Sequence, residues 1–340
     1  MPDLLGMLNR GPVVCAEGYL FECERRGYLQ AGAFVPEIVL DNPEVVEHLH
    51  REFVHAGSDV VEAFTYYGHR EKLRVIGKED LLEPLNRGAL DIASRVARET
   101  GTLLAGNLCN TNVYEPGGPG ERAARAAFEE QVGWAAEAGV DFVIAETFSW
   151  AGEAMLALAA IKAAGLPAVV TFAVHREGTL RDVADPVEAC RQAEQAGADV
   201  VGLNCIRGPQ TMLPMLAPIT AAVSCPVAAL PVPYRTTEAE PSMQSLRDPV
   251  RGGAQAFPTA LEPFTCTRHE LTDFTEAALA AGVTYLGICC GAGPQHIRAM
   301  AEAAGKTPPA SRYSPDMSKH SFLGSAPGIT QSYREYAPNL

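Results

Sequence analysis

The chain has 340 residues, 47% of them hydrophobic, and sets 27 Lys and Arg against 41 Asp and Glu for a formal net charge of −14. Acidity without blocks of like charge argues against nucleic acid and anionic membranes as partners, and no run of about 18 apolar residues suggests a membrane span. An odd count of nine cysteines, behind a start with no basic-then-apolar leader, points to a cytoplasmic protein with reduced or metal-bound thiols rather than a disulfide framework.

In chain order, short β-rich runs alternate with Ala-rich amphipathic stretches. Strands are predicted at Val13–Glu17, Val60–Tyr66, Leu103–Leu108, Phe142–Thr147, Ala168–Val174, Val200–Cys205, Val227–Val232 and Thr284–Cys289. The intervening helical patterns are Pro43–Ala56, Arg87–Glu99, Glu121–Ala138, Ala151–Ala164, Pro186–Ala196, Pro209–Val223, Arg268–Ala281 and Pro294–Ala304. Several helices end in an Ala-Gly step that restarts a strand, the glycine stop signal. Eight strands in such alternation predict a (β/α)8 TIM barrel over residues 1–305. A doubly wound open sheet is the alternative, and no Gly-rich dinucleotide fingerprint follows the first strand to support it. Arg235–Phe264 reads as an insertion on the active-site side, and residues 306–340 as an extended C-terminal arm over the barrel or a partner subunit.

In a barrel, all strand C-termini open onto one face. Cys205 ends the sixth predicted strand, and the adjacent Cys289 and Cys290 end the eighth, where Gly291 and Gly293 allow the chain to bend. Three thiolates there suit Zn2+ in tetrahedral ligation with one position open, against the plainer reading of three buried cysteines. Cys15 and Cys109 are weaker candidates; Cys23, Cys190, Cys225 and Cys266 read as ordinary apolar residues.

Glu146 closes an apolar strand, so its carboxylate is either solvated at the rim or aimed at a substrate amino group. Glu17, before Gly18, invites the same reading, whereas Glu62 reads as facing outward. Phe64-Thr-Tyr-Tyr-Gly-His69 brings Tyr66 and Tyr67 to the mouth, suited to a small carboxylate or to an ammonium or sulfonium cation, or simply to packing. His69 reads as solvated rather than as a metal ligand, and Asn107–Gly120 as a rim loop.

The motifs Gly287-Ile-Cys-Cys-Gly291, Gly202-Leu-Asn-Cys205 and His50-Arg-Glu-Phe-Val-His-Ala-Gly57 with Phe64-Thr resemble the zinc-dependent homocysteine S-methyltransferases. Glu24-Arg-Arg-Gly-Tyr28, Tyr67 with Glu71-Lys-Leu73, Ile144-Ala-Glu146 and Pro294-Gln-His-Ile-Arg-Ala299 point to the betaine-using branch. The resemblance spans about Val13 to Ala304. It implies that Cys205, Cys289 and Cys290 bind zinc, that homocysteine sulfur takes the open position, that Glu146 holds the homocysteine amino group and that Tyr67 lines the methyl-donor site. Glu146 and Tyr67 are thus the catalytic candidates, with Glu17, Gly18, Phe34 and Tyr66 as further substrate-binding candidates.

The chain departs from that branch in two places. Ala16-Glu17-Gly18 stands where an aspartate and two glycines normally end the first strand, and Phe34 stands where a tryptophan covers the betaine cation. The implied reaction is methyl transfer from an onium donor, glycine betaine or a related N-methyl or sulfonium compound, to homocysteine, giving methionine. The alternatives are another donor or acceptor on the same fold, with any corrinoid on a separate protein, and a zinc store or thiol redox switch without catalysis. The dimerisation arm of the betaine enzymes is shortened here, which leaves homo-oligomerisation open.

Overall fold

The structure, a computed structural model, describes residues 3–340. All eight predicted strands form: β1 (Val13–Ala16), β2 (Val60–Glu62), β3 (Leu103–Cys109), β4 (Phe142–Phe148), β5 (Ala168–Phe172), β6 (Val200–Asn204), β7 (Val227–Leu230) and β8 (Tyr285–Ile288). They pair in parallel in chain order, and β8 closes on β1 through Val13↔Tyr285 to Ala16↔Ile288. That closure is the (β/α)8 barrel and excludes the open sheet.

The outer layer consists of α1 (Pro43–Ala56), α2 (Leu82–Thr100), α3 (Pro119–Ala138), α4 (Ala151–Ala163), α5 (Pro186–Gln195), α6 (Pro209–Ala222), α7 (Arg268–Ala280) and α8 (Pro294–Ala303). Each buries its apolar stripe against the strands: α1 seats Val46, Leu49 and Phe53, all at most 1% exposed. The short helices Tyr19–Arg25 and Arg70–Ile76 had no long periodic pattern in the sequence and sit in the loops after β1 and β2.

The strands are buried on both faces, which explains their near-continuous apolar runs. Alternation assigns one set of residues to the barrel interior. Val13, Cys15, Val60, Leu103, Ala105, Phe142, Ile144, Val169, Val200, Ala228, Leu230 and Tyr285 form one interior apolar cluster, plugged at its lower end by Leu4 and Leu8. Two residues further along β1 to β5, the same face carries Glu17, Glu62, Asn107, Glu146 and Thr171, and β6 adds Asn204; all six are buried. The interior thus turns from hydrocarbon to polar within one layer, directly beneath the C-terminal face of the barrel.

After β7, the Arg235–Phe264 insertion folds over that face and carries a two-stranded hairpin, Arg247–Asp248 with Ala254–Gln255. Beyond Gly305 the chain forms short 3-10 turns and the helix Gln331–Tyr336. Lys306 ties its start to Asp59 at 3.0 Å. Phe322 gathers Tyr333 and Tyr336 at ring separations of 5.0 and 5.9 Å, a small aromatic cluster that the sequence reading did not foresee.

Candidate metal centre and substrate cavity

The sulfur atoms of Cys205, Cys289 and Cys290 all lie within 4.8 Å of one another, and all three residues are buried. Cys289 and Cys290 stand 3.9 Å apart, so two sequence neighbours do converge on one point. They manage this because β8 ends at Ile288 and the chain turns at Gly291, whose φ is 95°. On β6 the equivalent device is a left-handed pair, Cys205 (φ 57°) and Ile206 (φ 58°). Left-handed backbone at side-chain-bearing residues costs about 1–3 kcal/mol each and concentrates at functional sites. Thr147, after Glu146, and Tyr67 share it, with φ of 62° and 58°.

Hydrogen bonds from the Cys289 and Cys290 thiols pull the Cys205 thiol well below its usual pKa, while burial and the neighbouring sulfurs push those two partners up. Three sulfurs close enough to compete for one another's protons suit a soft cation, which satisfies all three as thiolates. The donor set fits zinc. Cys205 and Cys290 also line the main cavity, so the sulfur trio is reachable from it.

Glu146 borders this centre, its Oε2 being 3.9 Å from the Cys289 sulfur. Asn204 Nδ2 donates to Glu146 Oε2 at 2.6 Å, and Asn107 Nδ2 donates to both Glu146 Oε1 and Glu62 Oε1 at 2.6 Å. Thr147 Oγ1 adds a third donor to Glu146 at 3.0 Å. Burial, with the charge on Cys205, raises the Glu146 carboxyl to about 7. Glu17 and Glu62 are raised well above the carboxylate range by burial and by neighbouring carboxylates. Glu17 Oε1 and Asn107 Oδ1 are buried without a hydrogen-bond partner. Three crowded, desolvated carboxyl groups attract a cationic group, because its charge relieves both burial and mutual repulsion.

Above the layer opens a cavity of about 610 Å³. One wall is aromatic: Phe21, Phe34, Tyr66, Tyr67 and, from the insertion, Phe257. Phe21 stands 5.7 Å from Phe34 and 6.3 Å from Phe257, and Tyr66 4.5 Å from Tyr67, measured between ring centres. The lining also includes Ser149, His175 and Arg181, with Ser149 and His175 2.7 Å apart, beside a second aromatic pair, Tyr114 and Trp150.

Residues 20–304 match the family described as homocysteine S-methyltransferase. The chain belongs to that family. It is 36% identical over 307 residues to betaine–homocysteine S-methyltransferase 1 of Danio rerio, spanning 88% of this chain and 74% of the relative. It is 33% identical over 354 residues to an S-methylmethionine–homocysteine S-methyltransferase of Pongo abelii, spanning 99% and 92% of the two chains. The fold matches the metallated form of the homocysteine methyltransferase MmuM from Escherichia coli with a TM-score of 0.68 at 17% identity, covering 88% of this chain and 99% of that one.

In this homocysteine S-methyltransferase the structure places Cys205, Cys290, Phe34, Tyr66 and Tyr67 on the lining of the cavity, and Glu17, Glu146 and Cys289 around a small adjoining pocket that meets it at Tyr66 and Cys290. Gly18 stands apart from the cavity lining and serves close packing: a Cβ there would lie 2.6 Å from Ala292. Three expectations are corrected. Glu62 faces the barrel interior, since it follows Val60 by two on the same face of β2. His69 is 1% exposed and accepts from Lys72 N at 3.4 Å, capping the helix Arg70–Ile76. Asn107 is no rim residue but the link between Glu62 and Glu146, although Asn110, Asn112 and Glu115 further along that stretch do line the cavity.

Cys15 lies in the apolar interior cluster, and Cys109 accepts from Tyr67 N at 3.1 Å, so neither joins the sulfur trio. Asn107 and Asn204 were missed as site residues. Counting in twos from the apolar interior positions would have found both. Among the described residues no helix is long and apolar enough to cross a membrane.

Proposed function

We propose that the chain transfers a methyl group from a small onium donor to the sulfur of homocysteine, yielding methionine, with Cys205, Cys289 and Cys290 as ligands of a zinc ion. The observation that carries this reading is the juxtaposition of three sulfurs within 4.8 Å, a raised Glu146 beside them and an aromatic wall above. Zinc held by the three cysteines would supply positive charge that favours the thiolate form of an incoming thiol near neutral pH.

The chain's own residues then do the positioning. Glu146, steadied by Asn107, Asn204 and Thr147, binds the amino-acid ammonium and thereby orients the sulfur beside the cysteine trio. Phe34, Tyr66, Tyr67 and Phe257 hold the donor's cationic centre against ring faces. The homocysteine thiolate forms the new sulfur–carbon bond while the electron pair of the breaking bond returns to the donor's nitrogen or sulfur, leaving a neutral amine or thioether. No proton moves during transfer, so no general base is required there.

The two relatives named above differ in the donor their names specify while showing similar identity to this chain. Overall similarity therefore does not select the donor. Aromatic faces accept ammonium and sulfonium alike. The test is methionine formation by the zinc-loaded protein from homocysteine with glycine betaine, dimethylsulfoniopropionate or S-methylmethionine in parallel. A zinc-loaded protein that forms methionine from none of the onium donors overturns the reading.

A further inference from the structure

We infer that Tyr234, clamped by Arg25, is a positioning residue that sets the separation of Cys205 from Cys289 and Cys290, an inference that rests on the metal reading above. β7 lies between β6 and β8 in the barrel, so its continuation runs between the two loops that carry the sulfurs. Leu230 O accepts from Cys205 N at 2.8 Å, Pro231 O accepts from Cys289 N at 3.0 Å, and Val232 N donates to Arg207 O at 3.0 Å.

Tyr234 ends this spacer and is fully buried. Its backbone carbonyl fills the space beside Gly208, where a Cβ would stand 1.9 Å from it; its hydroxyl fills the space beside Gly291, where a Cβ would stand 2.2 Å away. Gly208 comes three residues after Cys205, and Gly291 directly follows Cys290. One side chain and its own backbone therefore touch both ligand loops, and both contacts are close enough to require glycine.

Arg25, at the end of the helix Tyr19–Arg25, donates to the Tyr234 hydroxyl at 2.5 Å and to the Gly291 carbonyl at 3.2 Å. Glu262 of the insertion pairs with the same guanidinium at 3.4 Å. The clamp thus ties together the β1 loop, the β7 extension and the β8 loop around the sulfur trio. Neither Arg25 nor Tyr234 belongs to the cavity lining, so their influence passes through the loops rather than through substrate. Groups that orient ligands from outside the coordination sphere are worth about 10–100-fold in metal affinity.

The test compares Tyr234→Phe, Arg25→Ala and the double variant by zinc competition against a chromophoric chelator and by the absorption bands of the cobalt-loaded proteins. Each single variant should bind zinc about 10-fold or more weakly with altered cobalt–thiolate bands, the double no more weakly than the worse single, and Arg25→Lys should recover part of the loss. The Arg25 side chain is 26% exposed, so its replacement reports even where Tyr234→Phe fails to fold. Variants that keep zinc affinity within about twofold and an unchanged cobalt spectrum overturn the inference, as does a loss that only tracks the melting temperature of the metal-free protein. A wild-type protein that binds no zinc overturns the metal reading instead.

Discussion

Asn204 donates to Glu146 at 2.6 Å and, through its next residue in the chain, leads directly into Cys205. The same amide that orients the Glu146 carboxyl group therefore sits at the root of the loop that carries Cys205. Asn204 Oδ1 accepts from Thr147 N at 2.8 Å, which links the ends of β4 and β6 a second time.

Glu146→Gln keeps the size of the side chain and removes the charge, at the cost of one accepted bond, since both carboxyl oxygens accept from asparagine NH2 groups and the new NH2 cannot. Homocysteine binding should weaken by about 10–100-fold, the worth of a charge-assisted hydrogen bond of about 1.5–3 kcal/mol, while zinc content stays at the wild-type value. Titration calorimetry with the zinc-loaded protein measures it, and unchanged affinity removes Glu146 from the acceptor site.

Elemental analysis of protein purified with zinc should return about one ion per chain, and Cys289→Ala or Cys290→Ala should abolish it because two thiolates hold zinc far less firmly than three. A wild-type chain that stays metal-free contradicts the centre itself.

Phe34 bears on the donor. Replacing it with Trp should tighten an onium donor by roughly 0.5–1 kcal/mol, and Phe34→Ala should weaken it by a similar amount or more, because tryptophan presents the strongest cation-binding face. The diagnostic is a change in donor KM with homocysteine KM unmoved. An equal effect on an uncharged isostere of the donor would indicate packing rather than cation recognition.

Three buried histidines set an acid limit. Burial lowers His50 to about 3 and His69 and His296 to about 4 from an ordinary value of 6.5. Between those values the unfolded chain binds more protons than the folded one, so their contribution is complete above about pH 6.5 and is lost as pH falls below it. Glu146, raised to about 7, works oppositely between 4.5 and 7. His50→Gln should flatten the decline in urea-unfolding stability between about pH 6.5 and 4, removing up to about 1.4 kcal/mol per pH unit. The same slope in wild type and variant would show that His50 is not its source.

The barrel and its sulfur trio were legible because strand ends in this fold share a face and Cys-Cys-Gly marks one of them. Glu62 was not, since Val60-Val-Glu62 gives no parity when both faces of a strand are buried. Asn107 hid in the same way, at the polar end of a strand that runs on to Cys109. The Arg25–Tyr234 contact spans 209 positions and left no local signal. His69 looked solvated in a Gly-His-Arg turn, yet it caps the helix Arg70–Ile76, lies edge-on to the Tyr67 ring at 6.1 Å and is buried.

The polar interior layer has a consequence for how a charged amino acid can enter a largely apolar barrel at all. Glu17, Glu62, Asn107, Glu146, Thr171 and Asn204 form a buried layer of dipoles and carboxyl groups that, with homocysteine bound as proposed, would stand in for the hydration shell its ammonium sheds. Because that layer is fixed by the strands before any ligand arrives, the solvation is built once, at folding, and need not be rearranged at each turnover.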